Sequence, residues 1–396
     1  MFDFELNTPT RVYFGKESEG KIPALLKEYG AKRVLIHYGG GKAVGNGLLK
    51  RIIWAVEEAG ASHYELGGVQ PNPRLSLVRE GIGLCLEKGV DFILAIGGGS
   101  VIDSAKAIGM GTLGGGDVWD YYCGKRTPGK CLPIGAVLTI AAAGSEMSRS
   151  SVITNDTTGE KCGRNAECSR PVFAVMNPAL TLNVPAYPTA CGCADILMHT
   201  LERYLNGGET MALTDGLAEA LMSNVIANAK VLVKDPSDYD ARANVMWAGA
   251  LSHNGLMSCG CDGGDWSTHQ LGHELSAKYD TAHGASLTAV WGSWARYVYK
   301  DSMSRFHKFA VQAMGVRPSG TRESLALKGI EAAEEWFKSL GLPVSIAELG
   351  VSPTDEDLKR MAASCARHNG GKKGVCKVLY EEDMLAIYRA AAHRRV

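Results

Sequence analysis

Two stretches carry residue types that hold metal ions. TACGCADILMHTLERYL, from Thr189, sets Asp195 and His199 four residues apart, and GGDWSTHQLGHELSAKYDTAHG, from Gly263, repeats that spacing with His269 and His273. On a helix, residues i and i+4 share one face, with Cβ atoms roughly 5–6 Å apart. His283 follows at the end of a loop-like YDTAHG, Tyr279 to Gly284. One carboxylate and two or three imidazoles, from two helices and a loop, could converge on one divalent cation, and such oxygen and nitrogen ligands suit Zn²⁺, Fe²⁺ and related ions. Either spacing alone also fits an ordinary surface or capping pair. Two features favour the metal. Four of the ten histidines lie between His253 and His283, and the neighbours of Asp195 and His199 (Ala194, Ile196, Leu197, Met198) are apolar or small, which marks a buried helix. A buried Asp and His need partners, and a metal is an efficient one.

A chain of 396 residues with 45% apolar residues is expected to fold as two domains with a sizeable core. Lysine plus arginine balances aspartate plus glutamate at 42 each, so charge gives no reason to invoke nucleic acid or an anionic membrane as partner. No run of about 18 apolar residues is evident, and the start, MFDFELNTPTRVYFG, lacks the basic and apolar regions of a secretory signal. The eleven cysteines are scattered, and Cys191-Gly-Cys193 and Cys259-Gly-Cys261 have neither zinc-ribbon nor thioredoxin spacing. They read as reduced thiols of a cytoplasmic protein.

The elements that position these residues fall into two patterns. Over 1–184, short strands are expected at Phe2–Leu6, Arg11–Phe14, Val34–Tyr38, Ser62–Leu66, Asp91–Ile96, Leu132–Thr139 and Phe173–Asn177, with helices at Gly20–Tyr29, Gly47–Ala59, Arg74–Lys88 and Val101–Met110. This alternation predicts a Rossmann-like parallel sheet, in which ligands bind beyond the carboxyl ends of the strands. Gly97-Gly98-Gly99-Ser100 stands at one such end, where glycines admit a pyrophosphate to backbone N–H groups and a helix N-terminus favours the anion. A tight strand-to-helix turn is the plainer reading. Ser100, with Asp103 three residues on, reads as a helix N-cap. At the other loop, Gly39-Gly40-Gly41-Lys42 has no carboxylate to accept ribose hydroxyls, and space plus a lysine favours the 2′-phosphate of NADP(H) over NAD(H); Lys42 also fits a solvated side chain. Asn72-Pro73 is a turn signal. The segment IAAAGSEMSRSSVIT reads as a hairpin loop, and Lys161 as a surface charge.

Over 185–396 the pattern is all-helical, with helices expected at Pro188–Asn206, Met211–Leu232, Tyr239–Asn254, Ser267–Lys278, Gly284–Asp301, Arg305–Met314, Arg322–Leu340, Thr354–His368 and Glu381–Arg394. No internal repeat or low-complexity tract interrupts it. The basic stretch Arg367–Lys377 reads as a solvated loop. The active site is expected in the cleft between the two halves.

Together these segments resemble the iron-containing (group III) alcohol dehydrogenase family, nearest its butanol dehydrogenase and NADPH-dependent aldehyde reductase branch, over nearly the whole chain. The resemblance implies a dehydroquinate synthase-like fold: an α/β nucleotide-binding domain followed by an all-α metal-binding domain. It implies Asp195, His199, His269 and His283 as metal ligands, with Fe²⁺ favoured and Zn²⁺ the alternative. His273 takes the family's extra histidine position near nicotinamide and substrate, a candidate proton relay whose plainer role is a hydrogen-bonded core histidine. GGGS with IDSAK implies the pyrophosphate site (Gly97, Gly98, Gly99, Ser100, Asp103). Thr139, Ser145 (in Gly144-Ser145-Glu146), Lys161, Thr181 and Leu182 match family positions beside the nucleotide, and Asn72 matches the adenine-side turn. Trp266 and Ala141–Ala143 are candidates to line the substrate channel. The implied activity is hydride transfer between NADP(H) and a primary alcohol or aldehyde of the butanol/butanal type, in a homodimer paired through N-terminal strands. The competing readings are an NAD-dependent glycerol dehydrogenase-like enzyme, a dehydroquinate synthase-like lyase, and a non-catalytic metal-binding protein. The lyase needs several basic residues around a phosphorylated acid, and the candidate pocket segments are apolar and small.

Overall fold

The computed structural model describes residues 1–40, 47–206 and 211–393. The chain divides into two units, Thr8–Val184 and Pro185–Val396 joined by Met1–Asn7.

In the first unit the elements run β1 (Arg11–Phe14), α1 (Ile22–Glu28), β2 (Arg33–Gly39), α2 (Leu48–Glu58), β3 (Ser62–Val69), α3 (Leu75–Lys88), β4 (Phe92–Gly97), α4 (Gly99–Gly114), α5 (Trp119–Tyr122), β5 (Ile134–Leu138), β6 (Ser150–Thr154), β7 (Lys161–Asn165) and β8 (Phe173–Met176). Six strands form one sheet in the order β1-β8-β5-β4-β2-β3, every neighbour parallel. Parallel strands covered on both faces need apolar residues throughout, and β4, FILAIG, is buried at every position. One sheet face packs Val34, Ile36, Phe92, Leu94, Ile96 and Val137 against α1 and α2. On the opposite face, His37 reaches α4. Its Nδ1 donates to the Leu66 carbonyl (2.9 Å), which leaves Nε2 to accept from the Ser104 hydroxyl (2.8 Å). From β2 the chain steps to β3 on one side, then returns to place β4 on the other side of β2. Gly39 and Gly97 therefore end adjacent strands at the topological switch point, the usual place for a dinucleotide. The β6–β7 pair is a separate antiparallel hairpin.

The second unit contains α6 (Ala186–Tyr204), α7 (Ala212–Lys234), α8 (Tyr239–His253), α9 (Ser267–Tyr279), α10 (His283–Val298), α11 (Met303–Lys308), α12 (Arg322–Ser339), α13 (Asp355–His368) and α14 (Glu381–His393). Helix starts follow local chemistry: the side chains of Asp238, Thr321 and Thr354 accept N-terminal backbone N–H groups of α8, α12 and α13. A tryptophan-rich core forms where Trp291 of α10 meets Phe309 and Phe337, and Trp294 meets Phe306. α6 is buried from Thr189 to Tyr204, all round its circumference, so its polar residues must find partners inside the protein. Among the described residues, α7 is the helix long and apolar enough, by length and composition, to cross a membrane. Its inward residues Leu221, Met222 and Val225 are nonetheless core, and it packs on α6 and α8.

The expected strand at Phe2–Leu6 is not formed. Among the described residues they have no strand partner; the Phe2 N–H instead donates to the Gly260 carbonyl (3.1 Å), and Met1–Asn7 groups with the helical unit.

Candidate metal centre and nucleotide loops

Asp195 and His199 lie one turn apart on α6, His269 in the first turn of α9, and His283 opens α10. Three imidazole nitrogens surround one carboxylate oxygen. His199 Nδ1 and His283 Nε2 each lie 3.5 Å from Asp195 Oδ1, and His269 Nε2 lies 3.6 Å away. The ligand atoms of Asp195, His199 and His269 are all within 4.8 Å of one another. Close helix packing brings His283 in: a Cβ on Gly284 would lie 2.2 Å from the Cys191 carbonyl oxygen of α6.

Asp195 Oδ1, His199 Nδ1 and His269 Nε2 are buried and make no hydrogen bond. Each buried polar atom left so costs about 1–3 kcal/mol, and three of them aimed at one point are what a carboxylate–imidazole cation site presents before loading. The donor set fits a divalent transition metal. Burial, followed by the neighbouring imidazoles His253 and His269, holds His199 well below its ordinary pKa, so it is neutral with a lone pair available. His269 is pushed down by burial but pulled up more strongly by Glu202 and Asp195, to about 9.

Around the cluster, the His253 ring lies 4.2 Å from that of His199. Trp266 lies 5.2 Å from His269 and 6.0 Å from His199, with the Arg203 guanidinium 4.4 Å over its own ring. His273 is buried beside the set, its ring 5.2 Å from that of His283 and 6.3 Å from that of His269. The sequence reading overlooked Glu202 and gave His253 no role. Glu202 follows Asp195 by seven residues and His199 by three, so helical spacing on one face was the available signal.

In the first unit, α4 begins at Gly99 with Gly98 as its N-cap, and Ser100 already lies inside the helix. The Gly98 carbonyl accepts from the Val101 and Ile102 N–H groups (3.1 and 3.2 Å), so the glycines make the turn and the expected Ser100 cap is not formed. Gly98 is demanded by close approach: a Cβ there would sit 2.1 Å from Ile140 Cγ2. Thr139 is buried next to the turn, its N–H donating to Gly97 O (3.0 Å).

Asp103 does not face back to the helix start. Its carboxylate accepts from the Ser145 hydroxyl (2.5 Å) and the Val152 N–H (2.9 Å), tying α4 to the following loop and β6. Lys106, one turn further, is fully buried and donates to the Ser145, Ser148 and Ser150 carbonyls at 2.7–3.0 Å. Burial lowers Lys106 to about 8, and burial raises the neighbouring Glu146 to about 7. Lys161 is not a surface charge: it is buried and donates to Asn72 Oδ1 at 2.8 Å, with Asn72 in the left-handed region at φ 56°. Thr181 is buried and Leu182 half-buried. Gly39 is buried at the end of β2 and Gly40 exposed, while Gly41 and Lys42 lie outside the described residues.

Residues 9–178 match the family described as iron-containing alcohol dehydrogenase, and residues 189–392 match the C-terminal family of the Fe-containing alcohol dehydrogenases. The chain is 40% identical to NADH-dependent butanol dehydrogenase A of Clostridium acetobutylicum, across 98% of this chain and 99% of that one. It is 33% identical to the NADPH-dependent aldehyde reductase YqhD of Escherichia coli, across 89% and 90%. The crystal structure of NADH-dependent butanol dehydrogenase A from Thermotoga maritima superposes with a TM-score of 0.94 at 36% identity, covering 99% of each chain. The chain belongs to the iron-containing alcohol dehydrogenase family and is an enzyme of the alcohol dehydrogenase and aldehyde reductase class.

Proposed function

We propose that this enzyme transfers a hydride reversibly between a nicotinamide dinucleotide and a primary aliphatic alcohol or its aldehyde, with Asp195, His199, His269 and His283 holding one divalent cation. The observation that carries the reading is the convergence of three imidazole nitrogens on Asp195 Oδ1, three of those four atoms being buried without a hydrogen bond. The family's description favours Fe²⁺, and Zn²⁺ competes by affinity order. When bound, the cation supplies Lewis-acid polarisation of the substrate oxygen. His273 is the proton-relay candidate, since a histidine donates or accepts near neutral pH.

Gly97, Gly98 and Gly99, Ser100 and the N-terminus of α4 offer N–H groups and dipole to the pyrophosphate. Asp103 serves by holding the Ser145 loop. Gly39 and Gly40, Asn72, Thr139, Ser145, Lys161 and Leu182 complete the nucleotide side. Gly39-Gly40-Gly41-Lys42 lacks an acid, which supports NADP(H), as does the name of the E. coli relative. The more similar relatives are named as NADH-dependent, which supports NAD(H) as the second reading. Butanol and butanal are the proposed substrate pair, after the relatives' names. The lyase and glycerol dehydrogenase-like readings gain nothing from those names. Eleven scattered cysteines support a reducing, cytoplasmic setting. The edge position of β1, with Phe14 exposed, supports pairing of two copies.

The test is anaerobic turnover of butanal by metal-depleted protein, with Fe²⁺ or Zn²⁺ restored and NADPH or NADH supplied. Metal-dependent consumption of NADPH is expected. Preference for NADH removes the 2′-phosphate reading alone, and no turnover with either nucleotide by metal-loaded protein contradicts the proposed reaction.

A further inference from the structure

Glu202 is the most completely buried carboxylate near the cluster, at 0% exposure. It stands on α6 on the same face as Asp195 and His199, yet reaches across to α9. One oxygen, Oε2, bonds His269 Nδ1. The other, Oε1, accepts from the backbone N–H groups of Thr268 (2.7 Å) and His269 (3.3 Å), which belong to the first turn of α9 and have no partner within their own helix. The Glu202 carbonyl also accepts from the Asp265 N–H (2.8 Å), so the approach to α9 is tied to the same turn of α6. A carboxylate can only accept here, so Nδ1 of His269 must carry a proton and Nε2 is the ring nitrogen turned toward Asp195 Oδ1.

We infer that Glu202 is a positioning residue: it fixes the ring orientation and tautomer of His269 so that Nε2 is presented as a metal ligand, and it locks α9 to α6 at the height that completes the site. The inference rests on the reading of Asp195, His199 and His269 as cation ligands. Carboxylate partners of ligating histidines raise ligand basicity and remove ring rotation, and their loss costs 10–100-fold in metal affinity. Because Glu202 also caps α9, a structural role and a positioning role must be separated by measurements that respond differently.

E202Q keeps the shape and a neutral acceptor for the α9 N–H groups, but removes the negative charge that faces His269 Nδ1. The full-length protein, stripped of metal and reloaded with Co²⁺, is followed by its visible d–d absorbance and by the rate of Co²⁺ loss to a chelator. The melting midpoint of the metal-free protein is measured beside it. A positioning role predicts roughly 10–100-fold tighter Co²⁺ binding in wild type than in E202Q, with faster release, a shifted d–d band and a metal-free midpoint that moves little. A lower midpoint with unchanged Co²⁺ spectrum and release overturns the inference in favour of capping alone. Should E202Q fail to fold, histidine-ring ¹H–¹⁵N spectra of Zn²⁺-loaded wild type decide. Metal on Nε2 with a protected proton on Nδ1 of His269 supports the inference, and metal on Nδ1 overturns it. Wild-type protein that binds no Co²⁺ and no Zn²⁺ contradicts the metal site itself, a different outcome from a wild type that binds and an E202Q that binds equally.

Discussion

The two functional regions treat buried polar groups in opposite ways. In the α/β unit the buried charges are met by the chain around them: Asp103 by Ser145 and Val152, Lys106 by three carbonyls, Lys161 by Asn72. The surface proposed to meet the nucleotide is largely glycine backbone at the start of α4. In the helical unit, Asp195, His199 and His269 bring buried atoms together and leave three without hydrogen bonds. The first arrangement is a finished frame whose side chains hold a loop in shape. The second leaves buried atoms unsatisfied, and in the proposed reading a cation is the group that satisfies them. If the proposed sites are right, the contrast teaches where to look for each kind of group: a dinucleotide site in backbone geometry, a metal site in side chains that are buried and unsatisfied.

If the contrast holds, damage to the two regions reads out differently. The largest effect is expected from D195N, which removes the charge shared by all three imidazoles: metal content near zero, kcat/KM down by about 10³-fold, and a folded metal-free protein. Retention of metal in D195N breaks the contrast at its strongest point. Next comes K106M, which strips the donor from the Ser145, Ser148 and Ser150 carbonyls and is expected to destabilise the α/β unit by about 3 kcal/mol. Metal content should be untouched. Urea unfolding and metal analysis on the same sample check both halves of that statement.

A smaller effect follows from His37. Burial holds it at about 4, below its ordinary value near 6.5. As pH falls, the unfolded chain takes up the proton first, so stability is complete above about 6.5 and is lost on the way down to about 4. The loss amounts to about 2 kcal/mol by pH 5. Hydrogen exchange across β2 and α4 should show wild type losing protection relative to H37Q at pH 5 and not at pH 7. Equal behaviour at both values removes His37 from the frame. The smallest effect is expected from G98A, whose new Cβ meets Ile140 Cγ2. A cost of about 1–2 kcal/mol should appear as roughly tenfold weaker nucleotide binding by fluorescence titration, recovered in G98A/I140A. Failure of the second change to restore binding places the fault elsewhere than that contact.

Much of this was legible in the residues. Alternating strands and helices up to Val184, and helical periodicity after it, gave elements close to those observed, and the i, i+4 spacing of Asp195 and His199 marked the central helix. What escaped was set by partners distant in sequence. Phe2–Leu6 alternates like a strand, but among the described residues no strand lies beside it, and a strand needs one. Ser100 is a local exception: it has the composition of a cap, but the Gly98 carbonyl already closes that turn. The internal partners of Asp103 and Lys161 were not legible locally, because Ser145 and Asn72 stand 42 and 89 residues away. Glu202 went unremarked because nothing local tells a buried carboxylate on α6 that its partner is a histidine 67 residues on.

The most direct test of the metal centre is calorimetric titration of metal-stripped protein with Zn²⁺, carried out side by side on wild type, H269A and H273A. The account predicts one equivalent per chain for wild type and H273A, and no tight site in H269A. Tight binding retained in H269A, or lost in H273A, would contradict it.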